Sequence, residues 1–221
     1  GPNARRLMAE LCADIDLDSA AFPFMSWRDG TVAGIPARVF RISFSGESAF
    51  EINVASSRGM ALWQALMTAG AKYDITPYGT EAMHVLRAEK GFVIVGQETD
   101  GTVTPHDLGM SWIVGKKKPD FIGRRGLARA DCQRADRKQL VGLLPEDPNQ
   151  VLTEGAQIVA EAGKAPPVPM EGHVTSSYWS PALGRSFARA LLKGGRSRHG
   201  QSVPVHAYGK TSWARVTAPI P

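Results

Sequence analysis

Cysteine is nearly absent. The two thiols, Cys12 and Cys132, stand far apart in a chain of 221 residues. They form no C-x-x-C pair and no Cys/His spacing suited to zinc, so neither a disulfide framework nor a structural metal site is expected. Two ordinary thiols fit a cytoplasmic protein. Long apolar runs are missing as well. No stretch approaches the roughly 18 apolar residues of a membrane-spanning helix, and no basic-then-apolar leader marks a signal peptide. The chain opens Gly1-Pro2 rather than Met. That pair reads as the remnant of a cleaved tag, and the chain is expected to be one module of a longer protein.

Several chemical signatures are lacking too. There is no G-x-S-x-G, P-loop or G-x-G-x-x-G, so hydrolase, NTPase and dinucleotide-binding readings have no support. No zinc finger, helix-turn-helix or RNP pattern is present. Three histidines, His84, His106 and His173, have no partner at metal spacing, and the adjacent side chains of His106 and Asp107 diverge in regular structure. No metal ligand is expected.

What the chain does have is apolar content for a core, 43% hydrophobic residues, and a net charge of +5. Much of the excess lies in two blocks, "GKKKPDFIGRR" (Gly115–Arg125) and "KGGRSRHG" (Lys193–Gly200). Neither interleaves aromatics as single-strand binders do. An anionic small ligand fits the excess better than nucleic acid, and no membrane partner is expected.

Hydrophobic spacing divides the chain in two. In the first part Leu7–Leu11 ends a short helix, and Phe22–Gly30 reads as loop. Arg38–Ser45 alternates with Phe40, Ile42 and Phe44 on one face. "SGES" supplies a turn with Gly46 at positive φ, and a return strand places Phe50, Ile52 and Val54 on one face. Ser57–Ala69 and Thr80–Gly91 have helical spacing and glycine stops, and "FVIVG" (Phe92–Gly96) reads as a short buried strand. Asp120–Ala130 could form one short helix, and Cys132–Arg137 reads as a linker. From Lys138 on, six short segments separated by turns suggest a small antiparallel barrel or sandwich. The Pro-rich Lys164–Gly172 reads as a connecting loop.

Glu51 is the unusual residue of the return strand. By parity it points away from Phe50 and Ile52. Either it lies on a solvated outer face, the common arrangement in antiparallel sheets, or it lines a cavity and accepts two hydrogen bonds from a flat amide- or guanidine-like heterocycle. Met83, Arg87 and Lys90 share one face of the second helix, which on pattern alone is an ordinary polar face.

Five ordered segments, "RISFSGESAFEINV", "WQALMTAG", "PYGTEAMHVLRAEKG", "TPHDLGMSWIVGKKKPDFIGRRGL" and "GHVTSSYWSPALGRSFARALL", resemble the aminomethyltransferase family. Its members include the glycine-cleavage T-protein and the folate-linked domains of sarcosine and dimethylglycine oxidases. T-proteins usually carry Ala-Arg-Asp where this chain has Ala82-Met83-His84. "GTEAMHVLRAEKGFVIVGQETDGTVTP" is most similar to the C-terminal region of the alpha subunits of heterotetrameric sarcosine oxidases.

The resemblance implies an α+β fold: a partial aminomethyltransferase-like α/β layer, split βαβ-like, then a C-terminal antiparallel β-barrel. Residues 1–130 would be the C-terminal half of the folate-binding domain and 131–221 the barrel. It implies tetrahydrofolate as ligand, with the pterin held by Glu51 at the end of the R-x-x-[YF]-[ST]-G-E-x-[GA]-x-E pattern. Phe44 would stand where the family often has Tyr. Basic residues are expected near the anionic glutamate tail, with Arg87, Lys118 and Arg124 as candidates. The family's catalytic Asp would precede this chain, so no catalytic residue is expected within it.

The parent would oxidise sarcosine to glycine and pass the one-carbon unit to tetrahydrofolate. The other sarcosine oxidase subunits would be its partners, and FAD, FMN and NAD would sit elsewhere in the complex. Two alternatives stay open: a glycine-cleavage-type aminomethyltransferase fragment, and a non-enzymatic folate-binding module akin to iron–sulfur repair relatives. The latter have Cys where this chain has Phe92.

Overall fold

Trp27–Val32 (β1) and Ile35–Phe40 (β2) form an antiparallel hairpin in the computed structural model, which describes residues 1–220. The two-residue turn places Ala33 at φ 51° and Gly34 at φ 73°. Positive φ at both positions gives the turn whose twist matches the flanking strands. Glu51–Asn53 (β3) pairs antiparallel with β2, giving the order β1-β2-β3 with β3 at an edge. One face of this sheet presents Val32, Ala37 and Val39 to a core shared with Met8 of helix α1 (Ala4–Leu11) and Leu62 of helix α2 (Gly59–Gly70). The other face carries Asp29, Arg38, Glu51 and Asn53, all exposed.

Two expectations for this part change. Phe22–Gly30 is not loop throughout, since its last four residues open β1. The alternation of Arg38–Ser45 does not make a strand to Ser45, because β2 stops at Phe40. After one further backbone exchange, in which Arg41 donates to Ser26 and accepts from Met25, the Arg41 side chain takes over. Its guanidinium lies 5.9 Å from the Phe24 ring centroid and 5.2 Å from that of Phe50, and it donates to the Ala49 carbonyl at 3.1 Å. The Ala49 carbonyl is thereby satisfied by a side chain in place of a ladder partner.

The chain divides into two compact units, one from Gly1 to Arg87 and one beginning at Ala88, within helix α3 (Thr80–Glu89). In the second unit "FVIVG" is not a strand. The Ile94 N–H donates to the Glu98 carboxylate at 2.6 Å and the Gly96 N–H to the Thr99 hydroxyl at 3.1 Å. These donors serve a tight local turn, leaving a single bridge, Val95 to Thr99. A four-residue helix, α4 (Arg124–Leu127), follows.

Lys138–Pro145 (β4), Gln157–Val159 (β5), Met170–Ser180 (β6), Arg185–Lys193 (β7), Ser202–Ala207 (β8) and Lys210–Thr217 (β9) then close into an antiparallel barrel. Its order is β4-β7-β6-β5-β8-β9. The interior is filled by Val141, Leu143, Ile158, Val174, Leu192 and Val205 with their neighbours, each almost fully buried. A register shift between Val174 and Ser176 bends β6, which strand curvature requires in so small a ring. Inside, the Ser177 hydroxyl accepts from the Leu152 N–H at 2.9 Å and donates to the Phe187 carbonyl at 3.2 Å.

Candidate functional site

Glu51 opens the edge strand β3, directly opposite Phe40. Its carboxylate points to the solvent side of the sheet, and among the described residues nothing hydrogen-bonds or ion-pairs with it. Elsewhere on that face charge is already neutralised. Arg38 grips Asp29 through two bonds, 2.8 and 2.9 Å, while its guanidinium stacks 4.3 Å from the Trp27 ring centroid. Those bonds hold Asp29 below the usual carboxylate range. Glu51 is thus a free two-oxygen acceptor on an apolar-backed sheet, able to take two parallel N–H donors.

Phe44 lies in the Arg41–Phe50 loop with 41% of its surface exposed. Its ring centroid is 6.3 Å from the imidazole of His84 on α3, so the loop leans on that helix. Arg87 sits one turn beyond His84 and is completely buried. No hydrogen bond, ion pair or ring contact joins Glu51 to Phe44 or Arg87, so the three do not form one cluster. Lys118 and Arg124 are exposed, in the segment around α4 of the second unit.

The second unit holds a polar lock that pattern reading did not find. Asp107 accepts from the Thr104 N–H at 2.8 Å and its hydroxyl at 2.9 Å, which turns "TPHD" into a closed loop. The same carboxylate accepts from Arg137 at 3.0, 3.2 and 2.7 Å. Arg196, from the second basic block, donates to the Asp107 carbonyl at 2.9 Å and also to that of His106. Arg198 of that block is paired with Glu171 at 2.7 Å. Much of the basic block is therefore spent on holding loops to the barrel. The Thr-x-x-Asp spacing, which favours a side-chain-closed turn, was the available signal. His106 turns away to Ser111, its Nδ1 2.8 Å from the hydroxyl.

Buried Glu98 is a further residue that sequence reading passed over. It caps the Ile94 turn and lies 3.4 and 3.3 Å from the hydroxyls of Thr175 and Ser176 on β6, tying that turn to the barrel wall. No group of three or more His, Cys, Asp or Glu suited to a metal ion occurs among the described residues. No helix there is long and apolar enough to cross a membrane.

Comparison with known proteins places this geometry in context. Residues 1–118 match the GCVT N-terminal domain, and residues 138–221 match the glycine cleavage T-protein C-terminal barrel domain. The chain is 53% identical over 213 residues to the sarcosine oxidase subunit alpha of Corynebacterium sp. (strain P-1), covering 95% of this chain and 22% of that protein. It is 41% identical over 224 residues to the sarcosine oxidase subunit alpha of Rhizobium meliloti, covering 100% and 22%. The chain thus spans about a fifth of the length of these relatives. The glycine cleavage system aminomethyltransferase T of Bartonella henselae superposes with a TM-score of 0.79 at 22% identity, over 98% of this chain and 56% of that one. That likeness establishes the aminomethyltransferase-like fold with its C-terminal six-stranded barrel.

Proposed function

The chain belongs to the glycine-cleavage T-protein, or aminomethyltransferase, family, and we propose that it is the tetrahydrofolate-holding part of a sarcosine oxidase alpha subunit. The observation that carries this reading is the free carboxylate of Glu51 on a sheet face whose other acid is already paired. A pterin offers a ring N–H beside an amino group, and one carboxylate accepts from both. The donor set therefore fits the ligand. Bound there, tetrahydrofolate would supply the nitrogens that take up the one-carbon unit released when sarcosine is oxidised.

This chain's own contribution is binding and orientation. Glu51 fixes the pterin edge and Phe44 offers an exposed aromatic surface for the ring. Arg87, wholly buried, acts as a positioning residue that holds the α3 wall on which the Phe44 loop rests. Placement of the acceptor nitrogen beside the departing carbon is a proximity effect; no residue of this chain is assigned to proton transfer. In this reading residues 1–130 are the folate-domain portion and 131–221 the barrel. FAD, FMN and NAD belong to other parts of the complex, and the companion oxidase subunits are the protein partners. A cytoplasmic location accords with the exposed charged surface.

The test is Glu51→Gln in the full alpha subunit within its complex. Loss of a charge-assisted pair of hydrogen bonds weakens tetrahydrofolate binding by about 10- to 100-fold, while flavin reduction by sarcosine keeps its rate. Folate binding that survives the substitution, or flavin reduction that falls with it, overturns the reading.

A further inference from the structure

Residues Gly115–Arg129, "GKKKPDFIGRRGLAR", contain six cations and one acid, a net charge equal to the +5 of the whole chain. All six cations are exposed, and among the described residues none forms an ion pair. Four cations elsewhere in the second unit differ: Arg134, Arg137, Lys193 and Arg198 are each bonded to a carboxylate. The same segment borders an apolar groove of about 490 Å³ whose walls include Pro105, Ile113, Val114, Phe121, Ile122 and Leu127. Ile122 is fully exposed, Ile113 is 49% exposed, and the adjoining Trp112 is 76% exposed.

An exposed aromatic–aliphatic groove in a segment carrying six unpaired cations, Lys118 among the groove's own walls, has the composition of a protein interface: apolar anchors with charge beside them. Trp112, Ile113 and Ile122 are exposed beside one groove rather than scattered singly, the arrangement that marks an interaction site. Nucleic acid is the poorer match, since one exposed aromatic gives no stacking platform for successive bases. We propose that this groove docks an acidic, apolar-centred surface of a companion subunit. The inference uses the subunit reading above but not Glu51, Phe44 or Arg87, and Lys118 and Arg124, the candidates for the folate tail, are left unchanged in its test.

The experiment uses the full alpha subunit and its companion subunits, with assembly followed by sedimentation velocity. Two variants are compared with the parent: Lys117→Glu combined with Arg125→Glu, and Trp112→Ala. Both change exposed side chains, so unaltered melting of the alpha subunit is the control for folding. The charge reversal is expected to weaken assembly at least tenfold at low salt. Raising the salt tenfold is expected to weaken the parent assembly and leave the reversed variant nearly insensitive. Trp112→Ala is expected to weaken assembly at all salt concentrations. Assembly unchanged in both variants overturns the proposal. So does a parent subunit that assembles with no companion, or a charge reversal that abolishes binding of a 20-nucleotide single-stranded RNA while assembly persists. Failure of the Glu51→Gln test alone leaves this result standing, so the two readings fall separately.

Discussion

Arg137 holds Asp107 through three contacts of 2.7 to 3.2 Å, with side-chain exposures of only 12% and 5%. Burial on its own would push the Asp107 carboxyl up. The hydrogen bonds from Arg137 and from the Thr104 amide and hydroxyl outweigh it and hold the group below its ordinary value of 3.8. A carboxyl depressed in the folded state contributes stability that is complete above its unfolded value and is lost as pH falls through the folded value. Melting of the second unit is therefore expected to be flat from pH 7 to about 5 in respect of this pair, and to drop below about pH 4. Asp107→Asn removes that acid-side slope. It also removes the more buried of the two carboxylates that Arg137 holds and leaves Asp131 at 2.6 Å, so a loss of about 1–3 kcal/mol is expected, measurable as a fall in denaturation midpoint at neutral pH.

With the Glu51 face open to water, the isolated chain is expected to bind tetrahydrofolate weakly. Hydrogen bonds to an exposed carboxylate compete with solvent, and their net worth is about 0.5–1.5 kcal/mol each. Calorimetry on the 221-residue chain should give no saturable heat at micromolar ligand. Tight, stoichiometric binding would mean that the pterin is held by some other surface.

Glycine at position 172 is fixed by its neighbours across the sheet. A Cβ there would lie 2.3 Å from the Leu191 carbonyl oxygen and 3.0 Å from the Leu192 Cα. Gly172→Ala must force β6 and β7 apart, so a loss of about 1–3 kcal/mol is expected by thermal or denaturant unfolding. Gly126, in α4, has nothing within 4 Å of an added Cβ. Gly126→Ala is therefore expected to stabilise by about 0.5–1 kcal/mol, and the opposite signs make the pair a controlled comparison.

The two thiols should separate in a labelling experiment. Burial, with a smaller contribution from Asp14, pushes the Cys12 thiol up to about 11, while Cys132 is partly exposed. Because the thiolate is the reactive form, a disulfide reagent at pH 8 should release one equivalent quickly, from Cys132. The second equivalent should appear only with denaturant.

How far the chain could be read in advance depended on whether side chains or backbone groups carried the local order. The six barrel strands and helices α2 and α3 were legible because their apolar spacing and turn residues agree. β1 was missed because "WRDGTV" holds two charges and a glycine; its place comes from pairing with β2 and from the single buried Val32. Arg41–Ser45, the second part of the expected Arg38–Ser45 strand, and Phe92–Gly96 look like strands in pattern, but side chains claim backbone groups nearby that a ladder would use: Arg41 takes the Ala49 carbonyl, and Glu98 and Thr99 take the Ile94 and Gly96 amides. At the candidate site, parity placed Glu51 on the face away from the core. Only the structure separates it from Asp29, the neighbouring acid that is already engaged. The burial of Arg87 had no counterpart in the spacing of α3, whose polar and apolar positions alternate too evenly to mark one arginine as interior.

The barrel closes by pairing its first strand with its last, Gly142 against Thr217 and Pro145 against Ala214. Since β4 and β9 run antiparallel, the end of the last strand arrives within a few residues of where the first begins. A ring of this kind has no intrinsic starting point. Splicing residue 217 to residue 138 through a short flexible linker, and cutting the chain in the exposed Lys164–Pro169 connection instead, would keep every strand beside its present neighbours. The order in which the ribosome delivers the strands is thus a property of the gene, and the closed wall they build is indifferent to it.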